Sequence, residues 1–203
     1  MKVIRLYEKN TDEKMLDYIA SSLKDGAIVI YPTDSVYAIG CDALNVRAVE
    51  KICNLKGVNP TKANFSIIGA DISSLSKYVK INDTYHKILR KNLPGPFTFI
   101  LPTANGLPKL FKTRKSVGIR IPSNSIPVKL TEILGNPILT TSLKSKENEE
   151  EYYTNPELIA EEYDDIADIV IDGGIGNTIV TAIIDCTSDS PKIVRDGAIE
   201  PEL

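Results

Sequence analysis

The chain predicts one α/β domain built on a twisted mixed sheet and spanning residues 1–203 without an internal boundary. Short continuous apolar runs, such as Ala27 to Tyr31 and Phe97 to Leu101, read as buried strands. Between such runs lie segments with apolar residues at 3.6 spacing, opened by capping residues and closed by glycine. Strands outnumber long helices and are unevenly spaced, with no internal repeat and no linker-like stretch, which points to a mixed sheet.

Composition bounds the possibilities. At 203 residues, 42% hydrophobic and 25% charged, the chain is large enough for a full core and ordinary for a globular protein. The net charge of -3 gives no global attraction to nucleic acid. Cys41, Cys53 and Cys186 are far apart and form no CxxC pair, so they predict small buried residues rather than a zinc site or a disulfide framework. The start, MKVIRLYEKN, has no apolar leader, and no run approaches the roughly 18 residues of a membrane helix. A cytoplasmic chain with no membrane segment is expected.

Taken in order, Val3 to Leu6 reads as a first, edge strand. Asn10 with Glu13 has the form of a capping box, and Met15, Leu16, Ile19, Ala20 and Leu23 share one helix face that Gly26 closes. Ala27 to Tyr31 is a buried strand stopped by Pro32; Thr33, Asp34 and Ser35 follow. A helix from about Asn45 to Leu55 ends at Lys56-Gly57, with Ala48, Val49, Ile52 and Cys53 inward. Ala63 to Ile68 is a strand. Asp71 caps a short helix anchored by Leu75, and Asn82 or Asp83 caps another that uses Tyr85, Ile88 and Leu89. Leu93-Pro94-Gly95-Pro96 forces a sharp turn before the strand Phe97 to Leu101. Lys109 to Lys115 is a basic connector. Val117 to Ile121 is a strand, Pro127 to Leu134 a helix closed by Gly135, and Ile138 to Thr141 a strand running into Ser142. Lys144 to Glu151 reads as a mobile solvated loop, and Pro156 to Tyr163 as a short helix. Ile169 to Ile171 and Ile179 to Ile184 are strands joined by a tight turn over 172–177, and Lys192 to Arg195 is the last strand.

Several stretches carry polar groups to strand ends, where sites in open α/β sheets collect. Thr33, Asp34 and Ser35 read either as an Asx or ST turn or as hydroxyls for a small polar ligand; Asp34 fits the structural part, because a carboxylate repels phosphates. Lys56 and Lys62 bracket a loop that either is solvated or holds a phosphate or carboxylate. Thr140, Thr141 and Ser142 end an apolar strand, with Lys144 just beyond. The single histidine, His86, reads as an ordinary surface residue of a charged helix, which leaves a Ser-His-Asp mechanism unsupported. The run Asp172-Gly-Gly-Ile-Gly-Asn177 lacks the Lys-Ser/Thr of a phosphate loop and the helix that would follow one. Arg195 puts a cation at a strand end.

The ordered series YPTDSVYAIGCDA, KICNLKG with Lys62, LPGPFTFIL, VGIRIPSN, ILTTS, VIDGG, TAIID and KIVRDGA resembles the YrdC-like family, over about residues 20 to 200, and within it the YciO branch. The resemblance implies a YrdC-like fold, with helices flanking the sheet and a concave pocket. It also implies the activity of the threonylcarbamoyl-AMP synthases of tRNA modification, which are nucleotidyltransferases. Threonine and bicarbonate give N-carboxythreonine, whose carboxyl attacks the α-phosphate of ATP; threonylcarbamoyl-AMP and pyrophosphate result. Mg²⁺ accompanies ATP as substrate, and no protein-bound metal is expected.

By the same resemblance Thr33, Ser35, Arg120 and Thr181 contact threonine, and Lys62, Ser142, Lys144 and Arg195 contact the nucleotide. Lys56, Arg120 and Ser142 stand at the reacting groups. Three positions depart from the synthase pattern: Val58 stands where those enzymes carry arginine, Lys144 where they carry asparagine, and Asn124 where they carry histidine. Losing an arginine at a phosphate removes a charge-assisted bond of about 1.5–3 kcal/mol, so attenuated activity is expected. The alternative expectation is an RNA-binding module for tRNA or ribosomal RNA, using Lys109, Lys112, Arg114 and Lys115 around Phe111.

Overall fold

The computed structural model describes residues 1–59, 65–108, 111, 114–143 and 154–203. Among these described residues ten strands form one mixed sheet in the order β1-β8-β2-β3-β7-β4-β6-β5-β9-β10. The strands are β1 Lys2–Arg5, β2 Val29–Tyr31, β3 Ala38–Asp42, β4 Ser66–Ile68, β5 Phe97–Pro102, β6 Ser116–Arg120, β7 Ile138–Ser142, β8 Ile169–Asp172, β9 Ala182–Asp185 and β10 Lys192–Arg195. The helices are α1 Glu13–Lys24, α2 Val46–Lys56, α3 Ile72–Leu75, α4 Asp83–Asn92, α5 Ser125–Leu134 and α6 Pro156–Glu162. This is the expected class, a twisted mixed sheet flanked by helices, and β1 lies at an edge.

Local chemistry sets the helix ends. The Asp71 carboxylate and the Ser74 hydroxyl close a reciprocal capping box at α3, and Asn82 caps α4 through the Tyr85 amide. Gly57 ends α2 in the left-handed region (φ 61), where a side chain is strained. At α1 the cap is Asp12, not Asn10. The Asp12 carboxylate accepts from the amides of Lys14 and Met15, while Asn10 closes a small bridge with Tyr7.

Two further expectations are corrected. Residues 38–42 form β3, a strand outside the expected set, paired with both β2 and β7 and buried throughout. The turn over 172–177 joins no hairpin, since β8 and β9 lie toward opposite ends of the sheet. The segment between them crosses most of the sheet's width. Tyr37 holds its start by donating to the Gly174 carbonyl and accepting from the Gly173 amide.

The pleat sends alternate residues to opposite faces. Ile30, Ile39, Ile67, Phe99, Ile119, Leu139 and Val170 pack with the inner residues of α2, α4 and α6. Val29, Tyr31, Ala38, Ile68, Ile138, Ile169 and Ile171 pack beneath α1 and α5. The second cluster includes no residue of β5, β6, β9 or β10. On those strands the alternation that would continue it delivers Thr98, Gly118, Arg120 and Ile183 instead. The helical cover stops there, and a hollow begins.

Candidate active site

Ser66 of β4 and Ser142 of β7 stand in register with the apolar residues Ile68 and Ile138, one pleat period or two away. The same alternation brings Thr98 from β5 and Arg120 from β6. With Ser35, Val36, Thr140, Thr141, Val180, Thr181, Ile183 and Arg195 they line a hollow of about 170 Å³. Gly118 stands between two of its lining residues: a Cβ there would lie 2.4 Å from Ser66 Oγ and 3.0 Å from Thr98 Cγ2. At the boundary with the apolar cluster the buried Tyr31 hydroxyl donates to Thr140 Oγ1 at 2.8 Å.

Arg120 is the deepest cation of the hollow, 8% exposed. Its Nη2 donates to Asp34 Oδ1 and to Ser35 Oγ, both at 3.1 Å, and its buried Nε has no hydrogen-bond partner among the described residues. Burial lowers the guanidinium pKa and the Asp34 charge opposes that shift. Asp34 is itself held by the amide of Ser123 at 2.7 Å and by the Ser123 hydroxyl at 3.2 Å. Thr33 Oγ1 accepts from the Ser35 amide, donates to the Val36 carbonyl and lies 2.9 Å from Ser35 Oγ. Thr33 to Val36 thus forms the hydroxyl-braced turn, and Ser35 and Val36 of that turn line the hollow.

At the opposite wall Arg195 donates through Nε and Nη2 to the Thr181 carbonyl, at 3.1 and 2.8 Å, and through Nη2 to Thr181 Oγ1 at 2.9 Å. Thr181 Oγ1 lies 3.3 Å from Thr98 Oγ1. The pairing of β9 with β10 shifts register between Ile193 and Arg195, as a bulge does, and bulges re-aim side chains. Lys56, at the end of α2, donates from Nζ to the Ser142 backbone carbonyl.

The hollow thus gathers Ser35, Arg120, Ser142, Thr181 and Arg195, with Thr33 behind Ser35 and Lys56 anchored at Ser142. Lys62 and Lys144 lie outside the described residues, as do Lys109 and Lys112 of the basic connector. Phe111 is buried in the core, 3% exposed, so it offers no ring for a base to stack on. The hydroxyls of Ser66 and Thr98 were not among the expected site residues, whereas Thr140 belongs to the hydroxyl run expected at the end of its strand. Their signal is a lone Ser or Thr at alternate positions of an otherwise apolar strand. A groove of about 650 Å³ between α4 and α5 is larger, but none of the expected site residues among the described ones lines it. Asn124 caps α5 by accepting from the Ile126 amide.

A family model described as "Telomere recombination", covering Sua5, YciO and YrdC, matches residues 21–197. YciO of Escherichia coli, an uncharacterized protein, is 34% identical over 194 residues, covering 95% of this chain and 93% of its own. Its crystal structure superposes with a TM-score of 0.89 over 98% of each chain. A putative threonylcarbamoyl-AMP synthase of Methanocaldococcus jannaschii is 35% identical over 201 residues, covering 98% of this chain and 94% of its own. The crystal structure of Pyrococcus abyssi Sua5 complexed with L-threonine is 26% identical with a TM-score of 0.85; it covers 97% of this chain, which spans 58% of that longer one.

Proposed function

This chain belongs to the Sua5/YciO/YrdC family of threonylcarbamoyl-AMP synthases and their relatives, and on that premise we propose that it forms threonylcarbamoyl-AMP from threonine, bicarbonate and ATP, at a rate below that of synthases with arginine at the position of Val58. The observation that carries this reading is the buried, half-used guanidinium of Arg120 among hydroxyls, with Arg195 across the hollow. A buried cation with spare donors suits a carboxylate, and the hydroxyls of Ser35, Thr98 and Thr181 suit a small hydroxylated amino acid. Val36, Val180 and Ile183 give such a ligand an apolar contact.

A hollow of about 170 Å³ takes an amino acid rather than a whole nucleotide. In this reading the nucleotide lies at the rim, its phosphates toward Ser142, Arg195 and Lys56. Lys62 and Lys144 extend that rim in the reading drawn from the resemblance. Threonine is carboxylated on its amine by bicarbonate, water leaving. The new carboxyl attacks the α-phosphate, and pyrophosphate departs with the electron pair of the broken P–O bond. Mg²⁺, carried in with ATP, offsets phosphate charge. The chain's own contribution is to orient the two reactants and neutralise charge as it develops, so no nucleophilic side chain is required.

Calorimetry tests the reading. L-threonine and ATP should each bind the purified chain, and Arg120→Ala should abolish the threonine signal. A chain that binds neither ligand, or that binds threonine unchanged after Arg120→Ala, would contradict it.

A further inference from the structure

The Asp34–Arg120 pair does more than neutralise a buried charge. We propose that Asp34 is a positioning residue: it fixes the Arg120 guanidinium by one edge and leaves the rest of the fork for the carboxylate of the amino-acid substrate. The substrate half of this inference rests on the function proposed above.

The geometry of the pair carries it. An arginine and a carboxylate that serve only each other tend to meet fork to fork, through two parallel bonds. Here Asp34 takes Nη2 alone, and Ser35 Oγ takes the same nitrogen. Two acceptors use both hydrogens of Nη2, so that edge is saturated. Among the described residues Arg120 makes no other hydrogen bond, and its Nε is left buried and unpaired.

Asp34 in turn cannot swing. Its second oxygen is fixed by the amide and the hydroxyl of Ser123, just past the end of β6. Ser35 is fixed by Thr33, whose hydroxyl is committed to the Val36 carbonyl. Both acceptors that grip Arg120 are therefore tied to backbone. The result is a buried cation of set orientation whose remaining donors face no acceptor among the described residues, in a side chain that lines the hollow.

The test uses Asp34→Asn and Asp34→Glu in the full chain, with two independent readouts. Side-chain ¹⁵N NMR of Arg120 reports orientation without any ligand. The wild type should show separate, slowly rotating Nη signals, and Asp34→Asn should average them, with Asp34→Glu between. Calorimetry with L-threonine and L-threoninamide reports the use of that orientation. Asp34→Asn should weaken threonine at least tenfold and the amide less than threefold, with thermal midpoints within a few degrees of the wild type. Nη signals that stay separate in Asp34→Asn would overturn the proposal. So would tighter threonine binding, which would make Asp34 a competitor for the guanidinium rather than its holder. If Asp34→Asn does not fold, Asp34→Glu decides: Nη signals that move toward averaging and threonine weakened more than the amide support the proposal, and Nη signals as separate as in the wild type overturn it. A wild type that binds no threonine would sink the proposed function and the substrate half of this inference, while the NMR readout would still decide whether Asp34 fixes Arg120.

Discussion

Arg195 Nη2 stands 2.9 Å from Thr181 Oγ1 and 2.8 Å from the Thr181 carbonyl oxygen, so one guanidinium edge holds both the backbone and the hydroxyl of a residue lining the hollow. Because Arg195 donates to Thr181 Oγ1, the threonine's own proton is free to point to Thr98 or to a ligand. Thr181→Val keeps the shape and removes the hydroxyl. It should weaken L-threonine binding roughly fivefold, the worth of a net hydrogen bond of about 1 kcal/mol. Arg195→Ala should cost more, about 1.5–3 kcal/mol or roughly tenfold to a hundredfold, because the lost bonds are charge-assisted. Calorimetry on both variants checks the order; an Arg195→Ala effect smaller than that of Thr181→Val would contradict it.

Gly118 tests the hollow. Its added Cβ would meet Ser66 Oγ at 2.4 Å, far inside contact distance, with Thr98 Cγ2 at 3.0 Å on the other side. Gly118→Ala should lower stability by about 1–3 kcal/mol, as overpacking does, and abolish threonine binding even where the variant remains folded. Denaturant unfolding and calorimetry on the same sample separate the two effects. Unchanged binding would place the ligand away from Ser66 and Thr98.

Alkaline pH offers a readout of the crossing segment between β8 and β9. Burial pushes the Tyr37 phenol up to about 12, partly offset by its hydrogen bond with the Gly173 amide. The folded pKa lies above the unfolded one. The stabilisation is therefore complete below about pH 10 and is lost as pH climbs toward 12, at about 1.4 kcal/mol per pH unit. Burial also pushes the Cys186 thiol up to about 12, which adds to the fall from about pH 9. Denaturant midpoints from pH 8 to 11.5 should show the decline, and Tyr37→Phe should make it shallower above pH 10, where the Tyr31 phenol, also pushed up by burial, still contributes. That variant should also lose about 1–3 kcal/mol at neutral pH, because the Gly174 carbonyl and the Gly173 amide lose their partner. Identical slopes in both proteins would contradict the assignment.

Position 58 is where the resemblance to the synthases leads one to expect arginine, and this chain carries valine. Val58 follows the left-handed Gly57, its amide closes α2 onto the Cys53 carbonyl at 3.0 Å, and its side chain is partly exposed. It sits two residues past Lys56, which reaches Ser142 at the hollow. Val58→Arg should raise threonine-dependent turnover on the order of tenfold to a hundredfold if the arginine supplies a charge-assisted bond to phosphate in the transition state. No gain in turnover would remove position 58 from the reaction.

Periodic segments were legible in sequence. The run Ile138-Leu-Thr-Thr-Ser142 announced a strand whose far end turns polar, and it forms β7 with Ser142 at the hollow. The caps at Asp71 and Asn82 were legible for the same reason, since they act within three residues. What failed was nonlocal. The strand over residues 38–42 has no alternation to betray it, because it is buried on both faces. The glycines of 172–177 spoke for a turn but not for the strand that would follow at the other end of the sheet. The hold of Asp34 on Arg120 spans 86 positions, so neither local pattern reveals it. The lone hydroxyls of Ser66 and Thr98 gain meaning only when the sheet aligns them beside Gly118.

Pyrophosphate release by the purified chain, supplied with ATP, Mg²⁺, bicarbonate and L-threonine, tests the shared hollow most directly. The account predicts release that requires both threonine and bicarbonate, runs roughly tenfold to a hundredfold slower than in a synthase with arginine at this position, and disappears in Arg120→Ala. Release that proceeds equally without threonine, or that survives Arg120→Ala, would contradict it.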